Sequence, residues 1–366
     1  MRYYLILIPP TLISLWTIFQ VLSGALTRPR YVHKFFLIVN HSALFKDLIS
    51  ENFERSRLQD SFSTKKESLS TIIPKKENST AWKSAVQTVV NCSKDGKNLV
   101  GELRIDQSIV KRMEDLEKLF SVQYGGWVNN GGEWKPENCR AKKVAIILPY
   151  RNRYEQLKIF LRHLHPILKR QLLDYRIFII EQNGTTIFNR AILFNIGFME
   201  AQKFNNYQCF IFHDVDLLPE DDRNMYNCVT SPRHMCPAVD KFFYKLPYHD
   251  IFGGVEAIWK QHFEKVNGFS NKYWGWGGED DDLYHRCTAK GLKLTRPSMK
   301  IGRYKMLKKY HYVDSRKNQG RTRQLLNNAV SRMKYDGLNT LKYNLLQTES
   351  LPLYTHIRVA VNHKEV

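Results

Sequence analysis

The pattern of apolar and polar positions predicts alternating strands and helices that begin near residue 144. Apolar runs of strand length occur at 144–148 and 175–181, and a third lies in the segment YQCFIFHDVDLLP that starts at Tyr207. The residues 154–170 and 188–203 have the spacing of amphipathic helices. Apolar strands that alternate with helices indicate a parallel sheet covered on both faces, which is an α/β fold. Ligands of such sheets bind beyond the carboxyl ends of the strands, so the residues that follow each strand are site candidates.

An uncharged stretch of 24 residues, from Tyr3 to Leu26, precedes this pattern. Because about 20 helical residues cross a bilayer, we predict a transmembrane signal anchor over 3–26 and a cytoplasmic tail of residues 1–2. A cleaved signal peptide is the alternative. The polar segment that follows is rich in Ser, Lys and Glu and predicts an extended stem over 27–91. The folded domain is expected over 92–366.

Charge and cysteine usage narrow the class of partner. The net charge of +21 favours polyanions such as nucleic acid, anionic lipid headgroups or phosphorylated small molecules. No recognition motif for nucleic acid accompanies the charge, and the predicted membrane span opposes that function. The six cysteines show no CxxC spacing, which argues against a zinc site and for disulfides in an oxidising compartment.

Two acidic residues follow the third predicted strand. In an extended backbone, Asp214 and Asp216 would project to the same side, and two carboxylates held together require a cation or a proton. Arg151 and Arg153 follow the first strand, and Arg190 lies close to the start of the second predicted helix. Such a set is suited to a diphosphate bridged by a divalent metal. The alternative for so short a pattern is a solvated turn.

Five longer segments carry a more specific signal: FNRAILFNIGFMEA, FHDVDLLPEDDRNMYNC, PRHMCPAVDKF, LPYHDIFGGV and WGWGGEDDDLYHR. They resemble the β-1,4-galactosyltransferase family, which includes the invertebrate β-1,4-N-acetylgalactosaminyltransferases. The resemblance runs from about Cys92 to the C-terminus. It implies a GT-A glycosyltransferase fold, with a Rossmann-like, mostly parallel sheet flanked by helices. It also implies a single-pass type II membrane protein of the Golgi apparatus with a lumenal catalytic domain. Such enzymes transfer a sugar from a UDP-sugar to a terminal GlcNAc with inversion, usually with Mn²⁺.

The resemblance also implies roles for individual residues. Asp280 is expected to be the base, because inversion requires a carboxylate that removes the proton from the attacking hydroxyl. Glu279 and Asp281 would orient the two sugars, and Asp282 is expected to be mainly a helix-start residue. The donor is expected to contact Pro149, Tyr150, Arg151, Arg153, Arg190, Asp214, Lys241, Ile251, Gly254 and Trp276. The acceptor is expected to contact Tyr248, Asp281 and Arg321. The implied disulfides join Cys92 to Cys139 and Cys209 to Cys228.

Trp276 lies in a glycine-rich loop that the family closes over the bound donor. The flanking glycines, Gly275, Gly277 and Gly278, lower the barrier to backbone rearrangement. We therefore expect this loop to act as a lid that excludes water from the sugar nucleotide.

One departure from the family pattern concerns the donor. Galactose-transferring members typically have Tyr or Phe before FGG, whereas this chain has Ile251. An aliphatic side chain leaves room for an N-acetyl group, so we predict UDP-GalNAc as the donor. The alternative is that Ile251 is only a β-branched strand residue.

A second departure concerns the metal. The family pattern is Met-x-x-His, but here Met306 is followed by Lys309, and a charged lysine cannot ligate a metal. His311 lies two residues further on and would share the face in an extended segment. We therefore predict that Asp216, Met306 and His311 hold Mn²⁺. The alternatives are a site in which Lys309 replaces the cation, which would give weak metal dependence, and a lost metal site. Thr322 stands where an aromatic residue often packs on the acceptor.

These observations predict a Golgi enzyme that transfers GalNAc from UDP-GalNAc to the 4-hydroxyl of a terminal β-linked GlcNAc on glycoproteins or glycolipids. The first alternative is a β-1,4-galactosyltransferase that uses UDP-Gal. The second is a non-catalytic sugar-binding relative with an altered metal site. The expected partners are the UDP-sugar, the GlcNAc-terminated acceptor and the membrane.

Overall fold

The computed structural model describes residues 91–92, 98–307 and 319–362. The predicted cytoplasmic tail, the signal anchor and all but the last residue of the predicted stem lie outside these ranges. Across the described segments, none of the helices combines the length and the apolar character that a membrane crossing requires.

The described part of the chain alternates between strands and helices. The strands are β1 (Glu133–Trp134), β2 (Lys143–Tyr150), β3 (Asp174–Gln182), β4 (Cys209–His213), β5 (Leu217–Pro219), β6 (Arg233–His234), β7 (Ala238–Val239), β8 (Val255–Trp259), β9 (Arg303–Met306), β10 (Asn344–Leu351) and β11 (Tyr354–Ala360). The helices are α1 (Met113–Lys118), α2 (Tyr154–Arg170), α3 (Arg190–Ala201), α4 (Lys260–Lys265), α5 (Glu279–Ala289), α6 (Gln319–Asn327) and α7 (Ala329–Arg332).

The larger sheet has eight strands in the order β10-β11-β3-β2-β4-β8-β6, with β1 also paired to β3. Its central strands β11, β3, β2 and β4 are parallel. The strands β8, β6 and β10 are antiparallel to their neighbours. The predicted parallel core is therefore confirmed, and antiparallel strands extend it on both sides. A smaller sheet has the order β5-β9-β7. It places β9 beside β5, the short strand that follows β4 in the chain.

The core lies on both faces of the larger sheet, as the apolar runs predict. In β2, Ile146 and Leu148 pack on the face covered by α2, while Ala145 and Ile147 pack on the face covered by α3. Gly197 lets α3 approach closely, because a Cβ atom at this position would lie 2.2 Å from Ile147 Cγ2. The period-2 alternation of a buried strand thus fixes which helix each side chain meets.

Helix α2 has the predicted bounds, whereas α3 is shorter than predicted at both ends. It begins at Arg190 because Asn189 caps it: the Asn189 side chain accepts a hydrogen bond from the Ile192 N–H at 2.9 Å. Both implied disulfides are present, Cys92–Cys139 and Cys209–Cys228. The two remaining cysteines, Cys236 and Cys287, are buried thiols.

A buried ion-pair network fixes the orientation of α5. Asp282 accepts hydrogen bonds from Arg286 Nε at 2.5 Å, Arg332 Nη2 at 2.6 Å and the Tyr273 hydroxyl at 2.9 Å. Asp336 pairs with both arginines, and Asp282 and Arg286 are fully buried. The interpretation of Asp282 as mainly a helix-start residue is therefore wrong, because its carboxylate is the centre of this network.

We predict that Arg286→Met destabilises the fold by about 3–5 kcal/mol, because it leaves two buried carboxylates with one arginine. Chemical denaturation of the full-length protein measures the change. The matched control is Arg112→Met, which removes an exposed pair with Asp115 and should leave the midpoint unchanged. Equal stability of Arg286→Met and the wild type would contradict the structural role of the network.

Candidate active site

A cleft of about 1020 Å³ lies beyond the carboxyl ends of β2 and β4, where the sequence predicts a site. Its walls come from the start of α3, the turn after β4, the loop between β7 and β8, the start of α5, the end of β9 and α6. Fifteen of the predicted site residues line it: Pro149, Arg151, Arg153, Arg190, Asp214, Asp216, Lys241, Tyr248, Ile251, Gly254, Trp276, Glu279, Asp280, Asp281 and Met306.

Two predicted site residues that the structure describes, Tyr150 and Arg321, do not line this cleft. Tyr150 is 8% exposed and packs in the core, where burial raises the pKa of its hydroxyl to about 12. Arg321 is exposed, and its neighbours Thr322 and Arg323 line the cleft instead. His311 lies outside the described residues. Strand β2 and helix α6 direct neighbouring positions into the cleft, and the contacts of Tyr150 with the donor and of Arg321 with the acceptor stay predictions.

The two acids after β4 do not lie on extended backbone. The Leu217 N–H donates to the Asp214 carbonyl at 3.3 Å, which closes a turn over Val215 and Asp216. Val215 is buried, and both carboxylates nevertheless line the cleft. The extended geometry expected from the sequence is therefore wrong, although Asp214 and Asp216 both line the cleft.

Asp216 and Met306 form a pair of candidate metal ligands. Leu217 pairs with Met306 in the β5–β9 ladder, and the Leu307 N–H donates to the Asp216 carbonyl at 2.7 Å. These backbone contacts bring Asp216 and Met306 close together, and both residues line the cleft. An oxygen and a sulfur donor are compatible with a borderline divalent metal such as Mn²⁺. The third predicted ligand, His311, lies outside the described residues, and no group of three His, Cys, Asp or Glu suited to a metal occurs within them.

Two arginines after β2 provide the cationic side of the cleft. Arg151 donates to the Thr186 carbonyl at 2.6 Å and lies over the Phe188 ring at 5.2 Å. Arg153 has a buried Nη1 atom without a hydrogen-bond partner among the described residues. A buried guanidinium nitrogen that lacks a partner is suited to an anionic ligand, so this position fits the predicted diphosphate.

Arg190 is surrounded by three carboxylates. Its Nε donates to Asp214 at 2.7 Å, its Nη1 to Glu279 at 3.2 Å and its Nη2 to Glu256 at 3.4 Å. The guanidinium also lies 4.4 Å from the Phe194 ring centroid. Arg190 therefore fixes the acids of the site, and its expected contact with a diphosphate stays a prediction.

The pKa of Glu279 is raised above the usual value of a glutamate. Its burial, and then the nearby Asp280 carboxylate, raise its pKa to about 7, although Arg190 opposes the shift. Its Oε2 atom is buried without a hydrogen-bond partner in the described residues. A carboxyl group with such a pKa changes between its protonated and ionised forms near neutral pH.

Asp280 is held between the start of α5 and the loop before β8. Its carboxylate accepts from the Asp281 N–H at 3.1 Å. On the other side, a Cβ atom at Gly253 would lie 2.0 Å from Asp280 Oδ2. The absence of a side chain at Gly253 therefore creates the space that this carboxylate occupies.

The predicted acceptor residues meet beside Asp280. The Tyr248 hydroxyl donates to Asp281 Oδ1 at 2.9 Å, and burial together with Asp280 raises the pKa of Asp281. Trp276 is 61% exposed at the mouth of the cleft, between Gly275 with φ 94° and Gly277 with φ 98°. These backbone angles favour glycine, which fits the expected mobile lid.

Ile251 lies in the loop between β7 and β8. Its side chain is half-buried and lines the cleft, while its carbonyl accepts from Arg296 Nη2 at 2.9 Å. The alternative that Ile251 is a strand residue is therefore wrong.

Sequence reasoning missed Glu256, which is the second residue of β8. It is the acidic residue in the apolar stretch VEAIW, and it is fully buried against Arg190. A charged residue in a buried strand is unfavourable without a partner. The position of Glu256 in an apolar run could therefore have indicated that it has a buried partner. His234 and Cys236 line the cleft as well and were also missed.

Comparisons with known proteins agree with this geometry. Residues 92–229 match the family described as the N-terminal region of glycosyl transferase group 7, and residues 233–311 match the N-terminal domain of galactosyltransferase. The chain is 44% identical to human β-1,4-galactosyltransferase 1 over 271 residues, which cover 74% of this chain and 67% of the relative. It is 46% identical to the mouse protein of the same name, with 74% and 66% covered. This chain belongs to the β-1,4-galactosyltransferase family.

The β-1,4-galactosyltransferase family also includes a solved structural neighbour. The catalytic domain of Drosophila β1,4-galactosyltransferase 7 is 30% identical and has a TM-score of 0.53, with 61% of this chain and 95% of that chain covered. One structure of that protein contains manganese, UDP-Gal and xylobiose. The GT-A-type glycosyltransferase fold, with a mixed sheet and flanking helices, is thereby confirmed. The matched region spans about two thirds of the mouse and human relatives.

We predict that Gly253→Ala lowers the kcat of this β-1,4-galactosyltransferase family member on the order of 10²-fold, because the new Cβ displaces the Asp280 carboxylate. Steady-state transfer kinetics and the thermal midpoint are measured together. The control is Gly197→Ala, whose Cβ would meet Ile147 in the core and should lower the thermal midpoint instead. An unchanged kcat for Gly253→Ala would show that the position of Asp280 is not critical.

Proposed function

We propose that this chain is an inverting glycosyltransferase that moves a hexose from a UDP-sugar to the 4-hydroxyl of a terminal GlcNAc in β-1,4 linkage. The observation that carries the proposal is that Asp280 and the Asp214–Asp216 turn line one cleft beyond the carboxyl ends of β2 and β4. The relatives named above are β-1,4-galactosyltransferases, which supports the same linkage.

In the proposed reaction, the acceptor 4-hydroxyl oxygen attacks the anomeric carbon as the bond from this carbon to the UDP oxygen breaks. Asp280 takes the hydroxyl proton, and UDP leaves on the opposite face. Asp281, held by Tyr248, and Glu279, held by Arg190, orient the two sugars. Asp216 and Met306 would hold Mn²⁺, which when bound neutralises charge on the diphosphate. The Trp276 loop excludes water from the sugar nucleotide.

For the donor we propose UDP-Gal, because the named relatives are galactosyltransferases and one structural neighbour contains UDP-Gal. UDP-GalNAc is a second candidate because Ile251, an aliphatic residue, lines the cleft where the family typically has an aromatic ring. The preference for GalNAc that the sequence predicts remains untested, and the comparisons favour its alternative. For the location we propose a single-pass type II protein of the Golgi membrane.

Asp280→Asn is expected to lower transfer by about 10²- to 10⁴-fold, because an amide cannot accept the hydroxyl proton. UDP affinity should stay within about twofold, since the amide has nearly the same shape. Full-length protein is assayed with UDP-Gal and with UDP-GalNAc on a GlcNAc acceptor, with and without Mn²⁺, and UDP binding is measured by calorimetry. Retained transfer would exclude Asp280 as the base. Wild-type protein that binds UDP but transfers neither sugar would favour a non-catalytic relative.

Ile251→Tyr is expected to lower kcat/KM for UDP-GalNAc relative to UDP-Gal by about 10- to 200-fold, because the ring fills the space that an N-acetyl group requires. The two donors are compared in the same assay for the variant and the wild type. The wild-type ratio identifies the donor, so a ratio that favours UDP-GalNAc overturns our proposal of UDP-Gal. A ratio that does not change on substitution means that Ile251 does not select the donor.

A further inference from the structure

Glu256 is a fully buried acid behind the active site, and it does not line the cleft. It lies in β8 between Phe212 of β4 and His234 of β6, which are its partners in the sheet. Its Oε1 atom accepts a hydrogen bond from Arg190 Nη2 at 3.4 Å, whereas its Oε2 atom has no partner in the described part of the chain. A buried carboxyl group with one long hydrogen bond calls for an explanation.

The contacts of Arg190 provide that explanation. Its guanidinium is planar and presents donors in a fixed fork. Two of its nitrogens hold Asp214 and Glu279, which line the cleft, and the third contacts Glu256, which does not. Glu256 is therefore the contact that fixes the guanidinium from the core side, while the other two acids face the substrates.

We propose that Glu256 is a positioning residue, which holds Arg190 so that Arg190 can hold Asp214 and Glu279 at the cleft. This inference rests on the proposed function, because it concerns the acids of the transfer reaction. Glu256 touches neither substrate; it acts through Arg190.

The groups that face Glu256 determine its charge. Arg190 of α3 is the cation beside it, while Asp214 after β4 and Asp280 of α5 add negative charge. His234 on β6 is neutral, because burial lowers its pKa to about 3. Burial also raises the pKa of the Cys236 thiol, so that group is neutral as well.

One arginine cannot neutralise all of these carboxylates, which favours the protonated form of the most buried of them. Burial raises the pKa of Glu256 well above its usual range. A neutral carboxyl group still accepts the hydrogen bond from Arg190 through its carbonyl oxygen. It adds no negative charge that would draw the guanidinium away from Asp214 and Glu279. If Glu256 ionised at alkaline pH, its negative charge would draw the guanidinium away from Asp214 and Glu279, and sugar transfer would fall.

The test compares Glu256→Gln with Glu256→Leu in the full-length protein. Glutamine is neutral and keeps an oxygen that accepts from Arg190, whereas leucine has a similar volume and no acceptor. We expect Gln to retain wild-type kcat within about threefold and Leu to lower it by about 10- to 100-fold, as is usual when a partner behind an active group is lost. In a series of assays at rising pH, the alkaline loss of activity of the wild type should move to higher pH in Glu256→Gln.

Glu200→Leu is the matched control for generic effects on folding. Glu200 is also buried, but its partners are Lys203 and Tyr343, away from the cleft. This variant should change the thermal midpoint without changing the pH profile or the ratio of kcat to KM. If Glu256→Leu affects only the thermal midpoint, as expected for Glu200→Leu, the positioning role is refuted.

Two further outcomes also decide the matter. Equal loss of kcat in Glu256→Gln and Glu256→Leu would mean that the negative charge of Glu256 is required, which overturns the proposal. If the wild type binds UDP but transfers no sugar, the proposed function fails. In that case the UDP affinity still tests Glu256: it should fall in Glu256→Leu and recover in Glu256→Gln, because Asp214 is the expected nucleotide contact. Equal affinities would refute the role of Glu256.

Discussion

The rotation of helix α5 about its axis is the constraint on which the active site depends. Four acids follow one another in its first turn, and successive residues on a helix are about 100° apart. The ion pairs of Asp282 with Arg286 and Arg332 fix the fourth acid in the core. That contact directs Glu279, Asp280 and Asp281 into the cleft. The helix N-terminus favours negative charge, but this field alone does not decide which acid is buried and which is exposed to a substrate.

The first turn of α5 also explains why several carboxylates share Arg190 as their cation. With Asp282 neutralised in the core, the remaining acids lie near Asp214 and Glu256, and Arg190 is the cation that contacts three of this group. Around Arg190 itself, negative charge therefore exceeds positive charge. Arg153, whose Nη1 atom has no partner among the described residues, lies at the same cleft, and a divalent metal held by Asp216 would reduce this excess further. Burial, and then the nearby Asp280 carboxylate, raise the pKa of Glu279 to about 7 in this acidic surrounding.

The sequence predicted the parallel centre of the sheet, because buried strands appear as apolar runs of sufficient length. It also located the acids and arginines that follow these strands, since ligands of such sheets bind at their carboxyl ends. The strands β6 and β8 were not predicted, because β6 has only two residues and the acidic Glu256 interrupts the apolar run of β8. The pairing of Asp282 with Arg332 joins residues 50 positions apart, and the contact of Arg190 with Glu256 joins residues 66 apart. Such contacts follow from the tertiary fold and leave no local pattern.

Donor choice and the position of the base are connected through a short piece of backbone. Ile251 lines the cleft, and two residues later Gly253 packs directly against the Asp280 carboxylate. Arg296 holds the carbonyl of Ile251, which restrains the backbone between these two points. A larger residue at position 251 can reshape the donor pocket only if this segment keeps its place, because any shift of Gly253 moves the space that Asp280 occupies. Specificity for the donor sugar and the rate of transfer are therefore expected to change together unless Arg296 keeps the loop fixed.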